Sequence, residues 1–335
     1  MTMQADESPI DAERVVVDPH HHLWDHSNSP AVAPGTKPFL IQEMMVTIQG
    51  SGQNVTHTVY LECHSMHRQD GPVEMRPIGE TEFANGMAAM AASGRYGNTR
   101  VAHGIVGTAE LTLGARVRPV LEAHLAAGNG RFRGIRVPSA YTEGKMFGYP
   151  TDPSLRGVML NPALHAGVRE LAPLGLTLDL WCFHPQLGEL AHLASACPRT
   201  VIVLDHLGTP ELFKAPSHQH RDIIASWRQG IFELARRPNT RIKLGGLASN
   251  FSGPLGGPLG TTPSTQLAVE WKELIETCIE AFGASRCMFE SNFPTDTLCT
   301  YGAMWNAYKR ITAGCSEAEK QRLFSGTARE VYRLN

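Results

Sequence analysis

The sequence lacks several features that would assign a protein class at once. Its seven cysteines are an odd number and form no C-x-x-C pair, which argues against a disulfide framework and against a thiolate zinc site. No apolar run approaches the ~20 residues that a membrane-spanning helix needs. Neither G-x-G-x-x-G nor the G-x-x-x-x-G-K-[ST] phosphate loop occurs, so the nucleotide-binding folds lack their usual sequence support.

Charge is also scarce and balanced. Lys and Arg number 30 against 32 Asp and Glu, a formal net charge of −2, so the chain has no basic excess with which to bind nucleic acid or an acidic membrane. Hydrophobic residues make up 42% and charged residues 19%, which predicts a globular protein with a sizeable core. The first fourteen residues are acidic and contain no apolar stretch, so we expect a cytoplasmic protein.

The length of 335 residues fits either two ordinary domains or one large barrel. Eight short apolar or β-branched segments recur along the chain and alternate with stretches whose apolar residues repeat every three or four positions. The predicted strands cover 14–20, 56–62, 100–107, 131–137, 176–183, 200–206, 240–246 and 286–291. Eight such units favour a single, distorted (β/α)₈ TIM barrel that spans residues 1–335. A doubly wound sheet would leave two or three of the predicted strands without a place.

Three further segments have predicted roles in this barrel. Two long segments, 138–160 after the fourth strand and 248–262 after the seventh, are expected to form lid-like loops on the face where barrel enzymes place their chemistry. The chain is expected to close with an amphipathic helix over 316–334, with Ser316 as its N-cap and Glu319 as the capping-box partner.

Histidine is the residue present in unusual number, at fifteen. The first strand ends in Asp18-Pro-His20-His21-His22, and because strand side chains alternate, His20 and His22 should share one face. Two imidazoles on one face form half of a metal site. His184 and His206 end the fifth and sixth predicted strands. A single histidine at a strand end is more often a satisfied polar residue, but four at one barrel mouth predict a metal site.

Several ordered motifs resemble one known family, the amidohydrolase-2 family. They are D-x-H-x-H-x-W from Asp18, FRGIR over 132–136, HPQL over 184–187, LDHLGTP over 204–210, KLGGL and FESNFPTD over 289–296. Within it, the chain is most similar to the lactonase-like branch, which includes 2-pyrone-4,6-dicarboxylate lactonase and the sugar and muconolactone hydrolases. The resemblance implies a distorted (β/α)₈ barrel, hydrolysis of lactones or decarboxylation of aromatic acids, and metal ligation by His20, His22, His184 and His206.

The last motif departs from the family pattern. Relatives end the eighth strand in S-D-W-P or T-D-W-P, whereas this chain has Ser291-Asn292-Phe293-Pro294. An amide cannot accept a proton from water at neutral pH, so the usual general base is missing at Asn292. Three carboxylates are candidates to compensate: Glu290 on the same strand face, Asp296 in the following loop, and Glu62 at the end of the second strand. Glu290 can equally be an ion-pair partner inside the barrel.

The substrate is expected to contact an arginine and aromatic side chains. Arg133 and Arg136 face opposite ways in a regular strand, so one of them can line the pocket, and Arg136 at the strand end is the better placed. Its guanidinium would clamp a carboxylate, although a surface ion pair is equally compatible with the sequence. Tyr141 and Trp24 would supply an aromatic wall. This combination suits a carboxylated cyclic compound.

The leading hypothesis is therefore a hydrolase that opens a lactone or related cyclic ester of a carboxylated small molecule. The histidine cluster would act with zinc or manganese, or without a metal by activating water directly. The alternatives are a metal-dependent non-oxidative decarboxylase of an aromatic or enoic acid, and a barrel that binds a ligand without turning it over. No nucleic-acid or membrane partner is expected, and the sequence leaves homo-oligomerisation open.

Overall fold

A computed structural model describes residues 7–25, 37–146, 149–248 and 260–335 of the chain. Eight parallel strands form one sheet in the order β1-β2-β3-β4-β7-β8-β9-β10, and β5 and β6 form a separate antiparallel hairpin. The strands are β1 (Val16–His21), β2 (Val55–Leu61), β3 (Arg100–Gly107), β4 (Phe132–Val137), β5 (Lys145–Met146), β6 (Tyr149–Pro150), β7 (Thr177–Trp181), β8 (Ile202–Asp205), β9 (Thr240–Leu244) and β10 (Cys287–Phe289). The prediction of a (β/α)₈ barrel is confirmed, and each of the eight predicted strands overlaps one barrel strand.

Helices connect successive barrel strands, as parallel pairing requires, and three more follow the last strand. They are α1 (Ile41–Ser51), α2 (Ile78–Ala92), α3 (Arg118–Ala127), α4 (Pro162–Arg169), α5 (Leu187–Ala196), α6 (His220–Ala235), α7 (Ser264–Phe282), α8 (Tyr301–Ile311), α9 (Glu317–Gln321) and α10 (Thr327–Tyr332). The Ser316 cap and its Glu319 partner are confirmed, but the expected closing helix is divided by a π-helical turn at Arg322–Gly326. Within the described part of the chain, no helix combines the length and apolar character of a membrane span.

Asp18 closes the seam between the first and last barrel strands. Its carboxylate accepts hydrogen bonds from the Ser291 backbone N–H at 3.0 Å, the Ser291 hydroxyl at 2.6 Å and the Tyr301 hydroxyl at 3.0 Å. Two backbone bonds continue the seam, from Asn292 N to His20 O and from His22 N to Phe293 O. The ends of β1 and β10, which both carry predicted site residues, are thereby fixed side by side.

The two ends of the barrel differ in what covers them. One hydrophobic cluster combines inward-facing strand residues, such as Val59 and Met288, with Val331, Tyr332 and Leu334 at the end of the chain. The chain terminus therefore packs against the barrel interior from the amino-terminal ends of the strands. A cavity opens at the carboxyl-terminal ends, where chemistry is found in barrels of this type.

Candidate active site

The cavity has a volume of about 440 Å³ and lies over the ends of six barrel strands. Its polar lining includes His22, Glu62, Arg136, His206 and Asn292, each of which comes at or directly after the end of a different strand. Part of the predicted lid segment 138–160 lines one side, through residues 138–140, 146 and 155. The other predicted lid, 248–262, lies outside the described residues except for its two ends.

A fully buried carboxylate joins two of the histidines at the base of the cavity. One oxygen of Glu290 lies 2.7 Å from His206 Nδ1, and the other lies 2.8 Å from His20 Nδ1. The two imidazole centroids are 4.7 Å apart. Burial disfavours the protonated form of His206, but the neighbouring Glu290 carboxylate favours it. The pKa of His206 is therefore raised. The pKa of Glu290 is lowered to about 2, because the two histidines offset its burial.

These three residues can hold a metal ion. One ligand atom from each of His20, His206 and Glu290 lies within 4.8 Å of the others, and all three residues are buried. Two imidazoles and a carboxylate form a donor set that suits zinc and similar divalent ions. The group differs from the predicted set of His20, His22, His184 and His206, because it includes Glu290 and leaves out His22 and His184.

His22 lies beside this group and is held by different partners. Its Nδ1 donates to the Leu61 carbonyl at 2.9 Å, and its Nε2 lies 3.2 Å from Asn292 Oδ1. Its ring centroid is 5.0 Å from that of His20, so the two imidazoles share a face as the strand alternation predicted. Burial is the largest of the effects that lower the pKa of His22 to about 3, so its imidazole is neutral at physiological pH.

Asp296 is fully buried behind Asn292 and contacts that amide. The Asn292 side chain donates from Nδ2 to Asp296 Oδ1 at 2.8 Å, and the Ala248 backbone N–H donates to the other carboxylate oxygen at 2.9 Å. Burial raises the pKa of Asp296 to about 7. The residue that replaces the family aspartate therefore lies between His22 and a buried, readily protonated carboxyl group.

Below these groups lies a buried ion network that the sequence interpretation did not include. Lys243 on β9 lies 2.8 Å from Asp179 on β7 and 2.9 Å from Asp205 on β8, and all three side chains are fully buried. Lys243 Nζ is also 3.2 Å from His20 Nδ1, and the Tyr332 hydroxyl donates to Asp179. Charged residues inside the otherwise apolar strands LTLDLW, VIVLD and RIKL were the available signal.

Two glycines after β9 leave room for the Glu290 and His206 side chains. A Cβ on Gly245 would lie 2.3 Å from Glu290 Cγ, and one on Gly246 would lie 2.4 Å from His206 Cγ. Gly246 also has a φ of +69°, which non-glycine residues rarely adopt. The KLGG motif thus combines a buried cation with two positions at which the backbone must approach the site closely.

The two arginines of β4 lie at opposite ends of the barrel. Arg136 lines the cavity, where its Nε donates to Glu62 Oε1 at 2.7 Å and a terminal nitrogen donates to the Glu62 carbonyl. Arg133 lies near the start of the strand and donates to the Gly130 carbonyl at 2.7 Å. Burial, Arg333 and Arg131 lower the pKa of Arg133 to about 10. Arg133 is therefore placed away from the cavity.

The remaining predicted residues lie around the cavity rather than at its base. Trp24 is part of the lining, with its ring centroid 6.3 Å from that of His22. His184 is half-buried, and its Nδ1 accepts from the Glu211 backbone N–H at 3.3 Å. Tyr141 donates its backbone N–H to Gln186 at 2.9 Å. Neither His184 nor Tyr141 is among the described residues that line the cavity.

Three of the nine described non-glycine residues with positive φ line the cavity. His64, His206 and Asn292 all line the cavity and have left-handed φ values of +60°, +55° and +52°. Such conformations cost a side-chain-bearing residue about 1–3 kcal/mol and persist where the surrounding structure enforces them. The fold therefore aims these three side chains at the cavity at an energetic cost, as active sites commonly do.

The barrel and its polar base define a member of a known enzyme class. The chain matches the family Amidohydro_2, described as Amidohydrolase, over residues 17–334, and it belongs to that family. It is a hydrolase of the amidohydrolase superfamily.

Individual relatives span most or part of the chain. A protein of uncharacterised function from Sinorhizobium fredii, y4mH, is 31% identical and covers 95% of this chain and 98% of its own length. An L-fucono-1,5-lactonase of Burkholderia ambifaria is 26% identical over 55% of this chain and 63% of its own length. A zinc-bound amidohydrolase structure from Burkholderia multivorans superposes with a TM-score of 0.70 at 21% identity, covering 96% of this chain and all of the other.

Proposed function

We propose that the protein hydrolyses a lactone or a related cyclic ester. The observation that carries the proposal is the buried group of His20, Glu290 and His206 at the base of a cavity large enough for a small molecule. The partial match to L-fucono-1,5-lactonases supports the reaction type.

If the protein acts without a metal, His206 is placed to take a proton from a water molecule. Its Nδ1–H donates to Glu290, so in the neutral imidazole Nε2 is the nitrogen free to accept a proton. Glu290 fixes the tautomer and stabilises the imidazolium once the proton has moved, which is how a buried carboxylate supports a histidine base. The same carboxylate orients His20 from its other oxygen.

Zinc is the ion that we propose for this site, and manganese is the alternative. His20, His206 and Glu290 would hold it, and the bound ion would supply Lewis-acid polarisation of the ester carbonyl. The zinc-bound relative supports this assignment. The measurement is metal content by plasma mass spectrometry, with about one equivalent per chain expected in the wild type and a clear loss in His20→Ala.

The expectation that the substrate carries a carboxylate rested on a free Arg136 guanidinium. Because Arg136 is bound by Glu62, this clamp lacks support. The decarboxylase alternative would hold its carboxylate with the metal ion, so this pair does not bear on it.

The test is a panel of lactones followed by proton release at constant pH. Hydrolysis should fall about 10²–10⁴-fold in Glu290→Gln, the range typical for loss of an assisted general base. Carbon dioxide release without ring opening would identify a decarboxylase instead. If the wild type is inactive on the panel and Asn292→Asp gains hydrolysis, the protein is a binding barrel that has lost its base.

A further inference from the structure

We propose that the cavity selects neutral, hydroxyl-bearing lactones, and that Glu62 binds a substrate hydroxyl group and excludes lactones with a free carboxylate. This inference rests on the proposed lactone hydrolysis and names the substrate class of the same site. It reverses the expected role of the Arg136 side chain, from a clamp for an anion to the partner that holds Glu62 in place.

Each of the three guanidinium nitrogens of Arg136 already has a protein partner. Its Nε donates to Glu62 Oε1 at 2.7 Å, one terminal nitrogen donates to the Glu62 carbonyl, and the other lies 3.4 Å from His20 Nε2. Only 15% of its side chain is exposed. A substrate carboxylate that bound the Nε side of this guanidinium would have to displace Glu62, which is itself 4% exposed and would be left buried without its cation.

Glu62 keeps one oxygen free for a ligand. Its Oε2 is buried and has no hydrogen-bond partner. In the described part of the chain, the ion-pair partner of this oxygen is His64, whose Nδ1 lies 3.7 Å away. That distance is too long for a hydrogen bond. Both residues line the cavity, so this oxygen lies at the cavity wall. A buried carboxylate oxygen without a donor is unfavourable, and a hydroxyl group of the substrate would supply the donor.

The charges below the cavity disfavour an anion as well. Four buried carboxylates, those of Glu62, Asp179, Asp205 and Glu290, face two permanently cationic side chains, Arg136 and Lys243. When all four carboxyl groups are ionised, these six side chains carry an excess of two negative charges. This excess disfavours an anion in the metal-free protein. A divalent ion would offset it, so in the metal-loaded protein the selection rests on the pairing of Arg136 with Glu62.

The experiment compares lactones that differ only in this group. D-Galactono-1,4-lactone carries a terminal hydroxymethyl group, and D-galactaro-1,4-lactone carries a carboxylate at that carbon. We expect kcat/KM to be at least about tenfold higher for the neutral lactone, because a site built to accept a hydroxyl hydrogen bond rejects an analogue that cannot donate it. In Glu62→Gln, the ratio of the two values should shift by about 100-fold toward the anionic lactone, since the guanidinium becomes unpaired.

Two variants separate this effect from simple loss of structure. Glu62→Gln/Arg136→Gln removes both charges, which is easier for a buried pair to tolerate than removing one. It should weaken the neutral lactone without improving the anionic one. Glu273→Gln makes the same chemical change on the exposed face of α7 and should leave both values unchanged. A wild type that hydrolyses the anionic lactone equally well or better would overturn the proposal, as would a Glu62→Gln variant with an unchanged ratio.

Binding measurements distinguish failure of this inference from failure of the proposed reaction. The corresponding neutral and carboxylated lactams are amides and are hydrolysed far more slowly than the lactones, so calorimetry can compare their affinities in the wild type and in Glu62→Gln. If no lactone is turned over but the neutral lactam binds at least about tenfold more tightly, the selectivity stands and the hydrolase proposal fails. Equal binding of the two lactams, or no binding of either, rejects the selectivity.

Discussion

Replacing Lys243 by methionine tests whether the buried ion network supports the barrel. Lys243 lies within 2.9 Å of carboxylate oxygens of both Asp179 and Asp205, and none of the three side chains is exposed. Methionine keeps most of the side-chain volume but leaves two buried carboxylates without their cation. Breaking a buried pair in this way costs about 3–5 kcal/mol, so we expect a loss of that size in the free energy of unfolding.

The loss should depend on pH in a defined direction. In the wild type, Lys243 is the largest of the cationic contributions that lower the pKa of Asp205. Without Lys243, one of the two carboxyl groups should hold its proton in the folded state, with a pKa above its unfolded value of about 4. A raised folded pKa contributes stability at low pH that disappears as the pH rises. The deficit of the variant should therefore grow by up to about 1.4 kcal/mol per pH unit across that window.

The assay is urea unfolding followed by tryptophan fluorescence at pH 5 and pH 8. Lys272→Met is the matched control, because Lys272 on α7 is 59% exposed and lies 3.8 Å from an exposed Glu276. Its effect should stay within about 0.5 kcal/mol. Adding Asp205→Asn to Lys243→Met should recover about 1–3 kcal/mol, since one unpaired charge is removed. The reasoning is refuted if Lys243→Met is as mild as the control, or if its deficit is the same at both pH values.

Three further predictions concern the groups at the cavity. His184→Ala should retain the metal that His206→Ala loses, as measured by metal content per chain, because His184 is bonded to the loop after β8 and lies outside the three-residue group. The pKa of Asp296 is raised to about 7, so its ionisation destabilises the fold as the pH rises. In urea unfolding, Asp296→Asn should therefore gain stability relative to the wild type between pH 5 and pH 8. A difference in unfolding free energy that stays constant over this range would contradict this. Gly246→Ala and Gly130→Ala both place a side chain at positive φ, so each should lose about 1 kcal/mol of unfolding free energy. Of these two variants, only Gly246→Ala should also lose most of its activity, because its new Cβ meets His206.

The sequence by itself determined the local structure and the order of the elements. Apolar periodicity located all eight barrel strands, and the Ser316 motif located a helix start, because both signals depend only on residues close together in the chain. Strand alternation placed His20 and His22 on one face for the same reason. The ordered motifs indicated the family, which the match over residues 17–334 confirms.

Only the tertiary structure decided which of these residues meet. Glu290 and His206 are 84 residues apart, and Arg136 and Glu62 are 74 apart, so their contacts depend on the relative depth of strands that pair through the whole barrel. Sequence position at a strand end did not distinguish His184, which lies at the side of the cavity, from His206 at its base. The sequence also could not show that Glu62 neutralises Arg136, because the ion-pair partner of a charged residue depends on the fold. The chemistry of the cavity therefore follows from pairings across the barrel that no local pattern contains.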